Sequence, residues 1–378
     1  EMRIGFDGKR AVQNFTGLGN YSRYVADILC HFYPENDYVL YAPKKRENKR
    51  MNLLTGQYRQ LTLAYPATSF WKKLSSLWRV WGITSQLEKE GIELFHGLSN
   101  ELPLNIHKSR IKSIVTIHDL IFLRYPQYYQ SIDRKIYTYK FRKACENADK
   151  IIAISECTKR DIIRYFNIPD DKIEVVYQGC DVSFTHPVTE EKKEEVRKKY
   201  QLPDHYILNV GSIEERKNIL AAVQALPMLP QHIHIVIVGR RTGYTEKVEQ
   251  FIKDNGLGER VHIISNVPFN DLPAFYQSAE IFVYPSRFEG FGIPIIEALY
   301  SGIPVVAATG SCLEEAGGPD SIYVNPDDIT GLADAFKQIY SNSDKRKNMV
   351  EKGREFAKRF SEKQQSEEII NIYKKLIR

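Results

Sequence analysis

Ser286-Arg287-Phe288-Glu289-Gly290-Phe291-Gly292-Ile293-Pro294-Ile295-Ile296-Glu297-Ala298 follows an apolar run, Ile281–Pro285, that reads as a buried strand. Gly290 and Gly292 flank a turn, and Pro294 suits the first turn of a helix, where its missing N–H costs nothing. The helix should run from about Ile293 to Ser301 and stop at Gly302, a residue at ease in a left-handed cap. Strand, glycine turn and helix in direct succession form the repeating unit of a parallel sheet covered by helices. The free N–H groups and positive dipole end of such a helix suit a diphosphate. Glu289 sits just before the turn, and Glu297 one helical turn after Ile293. Carboxylates accept hydrogen bonds from paired hydroxyls, so one can hold a hexose and the other a ribose. Solvated acids flanking a helix are the plainer alternative, but packing alone does not call for two of them around a glycine turn.

Working outward, the same alternation runs along all 378 residues. In the first half, strand-like runs fall at Arg3–Asp7, Tyr38–Ala42, Glu93–Gly97, Ile114–His118, Ile151–Ser155 and Ile173–Tyr177. In the second they fall at Tyr206–Gly211, Ile233–Gly239, Val261–Ser265, Ile281–Pro285, Ile303–Ala308 and Ile322–Asn325. Charge-rich helical segments lie between most of them. Two such sets predict an α/β protein of two Rossmann-like domains facing across a cleft, residues 1–184 and 185–378. Thr189–Tyr200, a charged helical stretch without a strand, marks the boundary. The amphipathic tail ends in a helix over about 361–378 that is expected to pack back on the first domain. In doubly wound sheets ligands bind outside the carboxyl ends of the strands, so motifs there carry most weight.

Composition narrows the function classes. With 43% hydrophobic and 26% charged residues, the chain is neither disordered nor fibrous. No apolar run approaches the ~20 residues that span a bilayer, and no signal peptide is expected. Cys30, Cys145, Cys157, Cys180 and Cys312 are scattered without metal spacing, which predicts reduced, mostly buried thiols and a cytoplasmic protein. Residues 1–187 carry 28 Lys and Arg against 20 Asp and Glu, whereas residues 188–378 carry 25 against 27. A basic first half points to an anionic partner such as membrane headgroups or a phosphorylated lipid acceptor. No nucleic-acid-binding pattern accompanies it, so nucleic acid is not expected.

Other motifs sit at strand ends. Val210-Gly211-Ser212-Ile213-Glu214-Glu215-Arg216-Lys217-Asn218 closes the first strand of the second half and, read alone, is a basic helix start. Gly17-Leu18-Gly19-Asn20-Tyr21 precedes a helix near Asn20–Phe32. Ten residues separate Asp7 from Gly17 and no third glycine follows, so the dinucleotide fingerprint is missing and NAD is disfavoured. Thr116-Ile117-His118-Asp119 ends another strand, where His118 either meets sugar hydroxyls or satisfies backbone groups. Val238-Gly239-Arg240-Arg241, Ser265-Asn266-Val267 and Thr309-Gly310-Ser311 also end strands and are candidates to line a nucleotide pocket. Finally, Trp71, Leu74, Leu77, Trp78 and Trp81 have helical spacing within a basic stretch, Phe70–Trp81. That spacing predicts an amphipathic helix, packed on its own domain or lying in a membrane interface at the inner face.

Glu289 and Glu297 match the E-x7-E signature of the family 4 retaining glycosyltransferases, which the chain resembles over nearly its whole length. The resemblance implies the GT-B fold and transfer of a hexose from a nucleotide diphosphate sugar to a saccharide or lipid-linked saccharide, with no cofactor or metal. Within the family, the mannosyltransferase-like branch of bacterial surface-polysaccharide assembly is the nearest in pattern. GDP-mannose is the first expected donor and a UDP-hexose the second. The resemblance further implies that Glu289 contacts the transferred sugar, Glu297 the ribose, and the Phe291–Ile293 amides, with Gly290 and Gly292, the sugar and phosphates. It assigns Lys217, helped by Arg216, to the leaving diphosphate. Ser212 stands where the family often has Arg, so Arg216 or another cation must complete the pair. Gly17 and Gly19 are assigned to a flexible loop against the donor phosphates, and His118 to a place over the hexose. A front-face mechanism, in which the donor phosphate takes the acceptor proton, accompanies the family. The alternatives are a nucleotide-sugar 2-epimerase of the same fold and a non-enzymatic carbohydrate-binding protein.

Overall fold

Two parallel sheets organise the computed structural model, which describes residues 1–378. The first contains β1 (Arg3–Asp7), β2 (Asp37–Tyr41), β3 (Leu61–Ala64), β4 (Leu94–Gly97), β5 (Lys112–Ile117), β6 (Lys150–Ala153) and β7 (Ile173–Val175). Their spatial order is β3-β2-β1-β4-β5-β6-β7. The second contains β8 (Tyr206–Val210), β9 (His234–Val238), β10 (Val261–Ile264), β11 (Ile281–Tyr284), β12 (Val305–Ala308) and β13 (Ile322–Val324), in the order β10-β9-β8-β11-β12-β13. Every neighbouring pair is parallel, with registers such as Phe6 opposite Leu40 and Val283 opposite Val306. Helices cover both faces, so inner strands such as β4 and β11 are buried at every position.

The chain separates into one unit of Glu1–Gln178 with Ser361–Arg378 and a second of Gly179–Phe360. The last helix, Glu362–Ile377, buries Ile369, Ile370, Ile372 and Tyr373. It is tied to the first unit by the Tyr373 hydroxyl, 2.5 Å from His96 Nδ1 on β4, and by a Tyr24–Gln365 hydrogen bond. Each unit has its own apolar core, one built around Phe95, Val115, Ile151 and Trp78, the other around Ile207, Ile235, Val283 and Phe336.

Three local expectations need correction. β3 was not anticipated: Leu61-Thr62-Leu63-Ala64 holds a single β-branched residue and forms the sheet edge, so neither composition nor alternation announces it. The helix expected near Asn20 begins at Gly17, so Gly17 and Gly19 lie in its first turn rather than in a flexible loop. The Asn14 carboxamide organises this start, accepting from Thr16 N, Thr16 Oγ1 and Gly19 N. A Cβ at Gly19 would lie 2.0 Å from the Asn14 carbonyl oxygen, so backbone approach alone requires this glycine.

The third correction concerns Phe70–Trp81, which is not one helix. Ser69–Lys73 stops at Leu74, Ser75–Leu77 makes a turn, Trp78–Gly82 is a wider π turn, and Ile83–Lys89 resumes. The break serves burial. Trp78 is fully buried, the Trp71 ring packs against Gly82, and Arg79 is drawn inward between Asp7 and Glu101 at 2.5 and 2.9 Å. Phe70, Leu74, Leu77 and Trp81 remain exposed at 61%, 39%, 50% and 49%. No helix is long and apolar enough to cross a membrane.

Candidate active site

The order of the second sheet reverses between β8 and β11, and side chains from the two loops that follow these strands converge there. That is the crevice in which open α/β sheets bind ligands. Lys217, from the turn after β8, places Nζ 2.6 Å from Glu289 Oε1, from the loop after β11. The Arg216 guanidinium reaches the same oxygen at 3.3 Å and donates to the Phe288 carbonyl at 2.6 Å. Two cations, Lys217 and Arg216, thus face the same carboxylate oxygen. The Ser286 and Tyr284 hydroxyls also donate to Oε1, at 3.0 and 3.2 Å. All of these bonds fall on one carboxylate oxygen, while Oε2 has no partner in the protein.

Electrostatics fix the charge states. Burial alone would raise the Glu289 carboxyl, but Lys217 and Arg216 outweigh it and hold the group below the usual carboxylate range. Burial would likewise neutralise Lys217, and the Glu289 carboxylate reverses that, pushing the ammonium above its ordinary value. The cluster is thus an ionised acid beneath two permanent cations. Glu289 cannot serve as a proton donor at neutral pH.

The following loop has the shape anticipated from its glycines. Gly292 caps the helix Ile293–Ser301 at φ +109°, Pro294 occupies the first turn, and Gly302 ends it at φ +76°. A side chain at Gly292 would strain that φ and approach Leu313 at 3.0 Å. Glu297, on the same helix, accepts from the Tyr276 hydroxyl at 2.5 Å. Burial raises its carboxyl to about 7, so both protonation states are populated at neutral pH.

In the first unit, His118 follows β5 and is 7% exposed. Its Nε2 lies 2.8 Å from the Leu98 carbonyl, which only accepts, so Nε2 carries the proton and Nδ1 is left as an acceptor. The Tyr21 ring abuts it edge-on at 4.6 Å, and burial pushes the imidazole down to about 4, keeping it neutral. Tyr21 belongs to the helix that Gly17 and Gly19 begin.

The structure therefore brings Lys217, Arg216, Glu289, Gly290, Phe291, Gly292 and Ile293 into one cluster, with Glu297 a turn further on. Gly17, Gly19 and His118 belong to the other unit. Tyr284, Ser286, Tyr276 and Cys312 were given no role from sequence. Tyr284 ends β11 and Ser286 stands three residues before Glu289, a spacing that puts a hydroxyl within reach of its carboxylate. No group of three or more His, Cys, Asp or Glu is arranged to hold a metal ion.

Comparison with known proteins gives a consistent picture. The family described as "Glycosyl transferases group 1" matches residues 190–356, and "Glycosyltransferase Family 4" matches residues 22–184. The O-antigen chain mannosyltransferase B of Escherichia coli is 31% identical over 289 residues, 75% of this chain and 74% of that protein. The O-antigen chain mannosyltransferase RfbU of Salmonella typhimurium is 29% identical over 225 residues, 60% of each chain. Among solved structures, a glycosyltransferase from Rickettsia africae superposes with a TM-score of 0.80 at 20% identity, covering 100% of this chain and 99% of that one. Anabaena Alr3699/HepE in complex with UDP and glucose superposes with a TM-score of 0.78 at 17% identity over 100% of both chains.

Proposed function

The chain belongs to the family 4 glycosyltransferases of the GT-B fold, enzymes that move a sugar from a nucleotide-sugar donor to a saccharide acceptor, and from that premise we propose that it transfers mannose from GDP-mannose with retention at the anomeric carbon. The observation that carries the reading is the Lys217–Glu289–Arg216 cluster beside a capped helix N-terminus. Two relatives named as mannosyltransferases favour mannose over the UDP-linked hexoses.

In this reading the donor diphosphate lies against the Gly290–Ile293 amides and meets Lys217 and Arg216. As the glycosidic bond breaks, negative charge grows on the phosphate and these groups stabilise it without moving. Glu289 Oε2 accepts a hydroxyl of the transferred sugar. Its negative charge, held in place by the cations, favours positive charge developing on the sugar ring. Glu297 accepts from the ribose hydroxyls in its ionised form, and Nδ1 of neutral His118, in the first unit, is an acceptor open to a substrate hydroxyl. The donor phosphate oxygen takes the acceptor's proton, since neither Glu289 nor His118 is poised to exchange one near neutrality.

The acceptor is assigned to the first unit, and a phosphorylated lipid carrying the acceptor saccharide matches that unit's excess of positive charge. Exposed Phe70, Leu74, Leu77 and Trp81 beside Lys72 and Lys73 form a face suited to the surface of an anionic membrane. Thermal-shift titration with GDP, UDP and NAD tests the donor assignment. Stabilisation by GDP alone supports it, stabilisation by UDP alone moves the donor to a UDP-hexose, and stabilisation by NAD alone sinks the glycosyltransferase reading of the site. Sedimentation with phosphatidylglycerol vesicles tests the membrane face, and binding unaffected by Leu77→Ser with Trp81→Ser would refute it.

A further inference from the structure

The loop that carries Glu289 is held from behind by a thiol. Cys312, fully buried just before the short helix Leu313–Gly317, places Sγ 2.9 Å from the Glu289 carbonyl oxygen and 3.3 Å from that of Phe291. A trans peptide directs its C=O and N–H in opposite senses. The Glu289 carbonyl belongs to the peptide whose N–H is on Gly290, and the Phe291 carbonyl to the peptide whose N–H is on Gly292. With both carbonyls turned toward Cys312, both amide protons must point to the opposite side, roughly parallel to each other. Neither the Gly290 nor the Gly292 N–H has an acceptor within the protein, although Gly292 is buried. Buried amides without partners are rare and mark a place for an anion. A second orphan adjoins: Ser311 Oγ, the neighbour of Cys312, is buried and has no hydrogen-bond partner.

The geometry points to Cys312 as a positioning residue that aims the Gly290 and Gly292 amides at the donor diphosphate by holding the carbonyls on the far side of their peptides. It never touches the donor. The single S–H is shared between the two carbonyls, closer to that of Glu289, and without it the peptides can rotate more readily so that oxygen rather than N–H faces the phosphates. The burial of Cys312 keeps it from acting as a nucleophile or a redox sensor. A hydroxyl can do the same task and a methyl group cannot.

This inference rests on the reading of the site as a nucleoside diphosphate pocket. If wild-type protein binds neither GDP nor UDP, that reading fails first. Given wild-type binding, the test compares Cys312→Ser and Cys312→Ala by calorimetric titration with that diphosphate and with its nucleoside, alongside melting temperature. Cys312→Ala is expected to weaken diphosphate binding on the order of tenfold, the value of about one hydrogen bond, while nucleoside binding stays at the wild-type level. Cys312→Ser is expected to stay within about threefold of wild type for both ligands, since a hydroxyl donates at least as well as a thiol. Equal weakening for nucleoside and diphosphate, unchanged diphosphate affinity in folded Cys312→Ala, or no rescue by serine would each overturn the proposal. Should Cys312→Ala fail to fold, Cys312→Val is measured instead with the same criteria.

Discussion

Replacing Glu289 by glutamine keeps the shape of the side chain and removes its charge, which makes it an exacting probe of the cluster. Lys217 and Glu289 side chains are 16% and 11% exposed, and Arg216 is 18% exposed, so the change strands two cations in a largely dry crevice. Breaking a buried pair by removing one partner costs about 3–5 kcal/mol, and the residual exposure here puts the value near ~3 kcal/mol. In a unit the size of Gly179–Phe360, each kcal/mol moves the midpoint by about 2–4 °C, so melting should fall by ~6–12 °C. The ligand should respond in the opposite sense. A nucleoside diphosphate brings its own negative charge to Lys217 and Arg216, no longer in competition with the carboxylate, so its affinity in Glu289→Gln should equal or exceed that of wild type. Turnover should drop on the order of 10²–10³-fold, because the charge facing the developing transition state is gone. Differential scanning fluorimetry with and without GDP or UDP, calorimetric titration and single-turnover transfer read these three quantities. A melting temperature within ~2 °C of wild type together with wild-type turnover would refute the account of the cluster. So would loss of diphosphate binding, which would mean that Glu289 holds the phosphate site in shape rather than balancing its charge.

Lys217→Met should weaken diphosphate binding on the order of tenfold or more and slow transfer further, as checked by titration and steady-state kinetics. Glu297 has a folded value of about 7 against an ordinary 4.5, so the protein gains stability from it below about pH 4.5 and loses that gain as pH rises through 7. Glu297→Gln should therefore melt higher than wild type at pH 8 and no higher at pH 4.5, while nucleoside affinity, expected to rise from pH 6 to 8 in wild type, should become flat in the variant. His96, sealed between Tyr373 and Thr116 hydroxyls at 2.5 and 2.7 Å, is pushed by burial down to about 3. Its contribution is present above pH 6.5 and is lost as pH falls from 6.5 toward about 3, so His96→Asn should flatten the acid limb of the melting-temperature profile below pH 6.5.

Much of the architecture is legible in the sequence, because its signals are local. Strands such as Ile281–Tyr284 and Val305–Ala308 are short apolar runs bounded by Gly and Pro, and the Ile293–Ser301 helix is bracketed by Gly292 and Gly302. Features decided by tertiary contacts were not legible. Leu61–Ala64 is a strand because β2 offers an edge, not because its residues favour extension. Phe70–Trp81 has the spacing of one amphipathic helix, yet burial of Trp78 and the ion pairs of Arg79 outweigh that periodicity. At the site, the E-x7-E spacing pointed to the two carboxylates, but it carried no sign of their opposite environments. Glu289 is ionised by cations contributed from 72 and 73 residues away, whereas Glu297 is raised by burial against the opposing hydrogen bond from Tyr276. Cys312 was legible only as a buried thiol, since its purpose depends on carbonyls 21 and 23 residues distant.

The central claim is that the crevice between β8 and β11 uses Lys217, Arg216 and the Gly290–Ile293 amides to steady a departing nucleoside diphosphate. Release of that diphosphate is the quantity to follow, with radiolabelled GDP-mannose as donor and a membrane lipid extract as acceptor. The expected result is GDP release matched by label entering the acceptor fraction, unchanged by EDTA and lost in Lys217→Met. GDP release that depends on an added divalent cation, or transfer that persists at the wild-type rate in Lys217→Met, would contradict it.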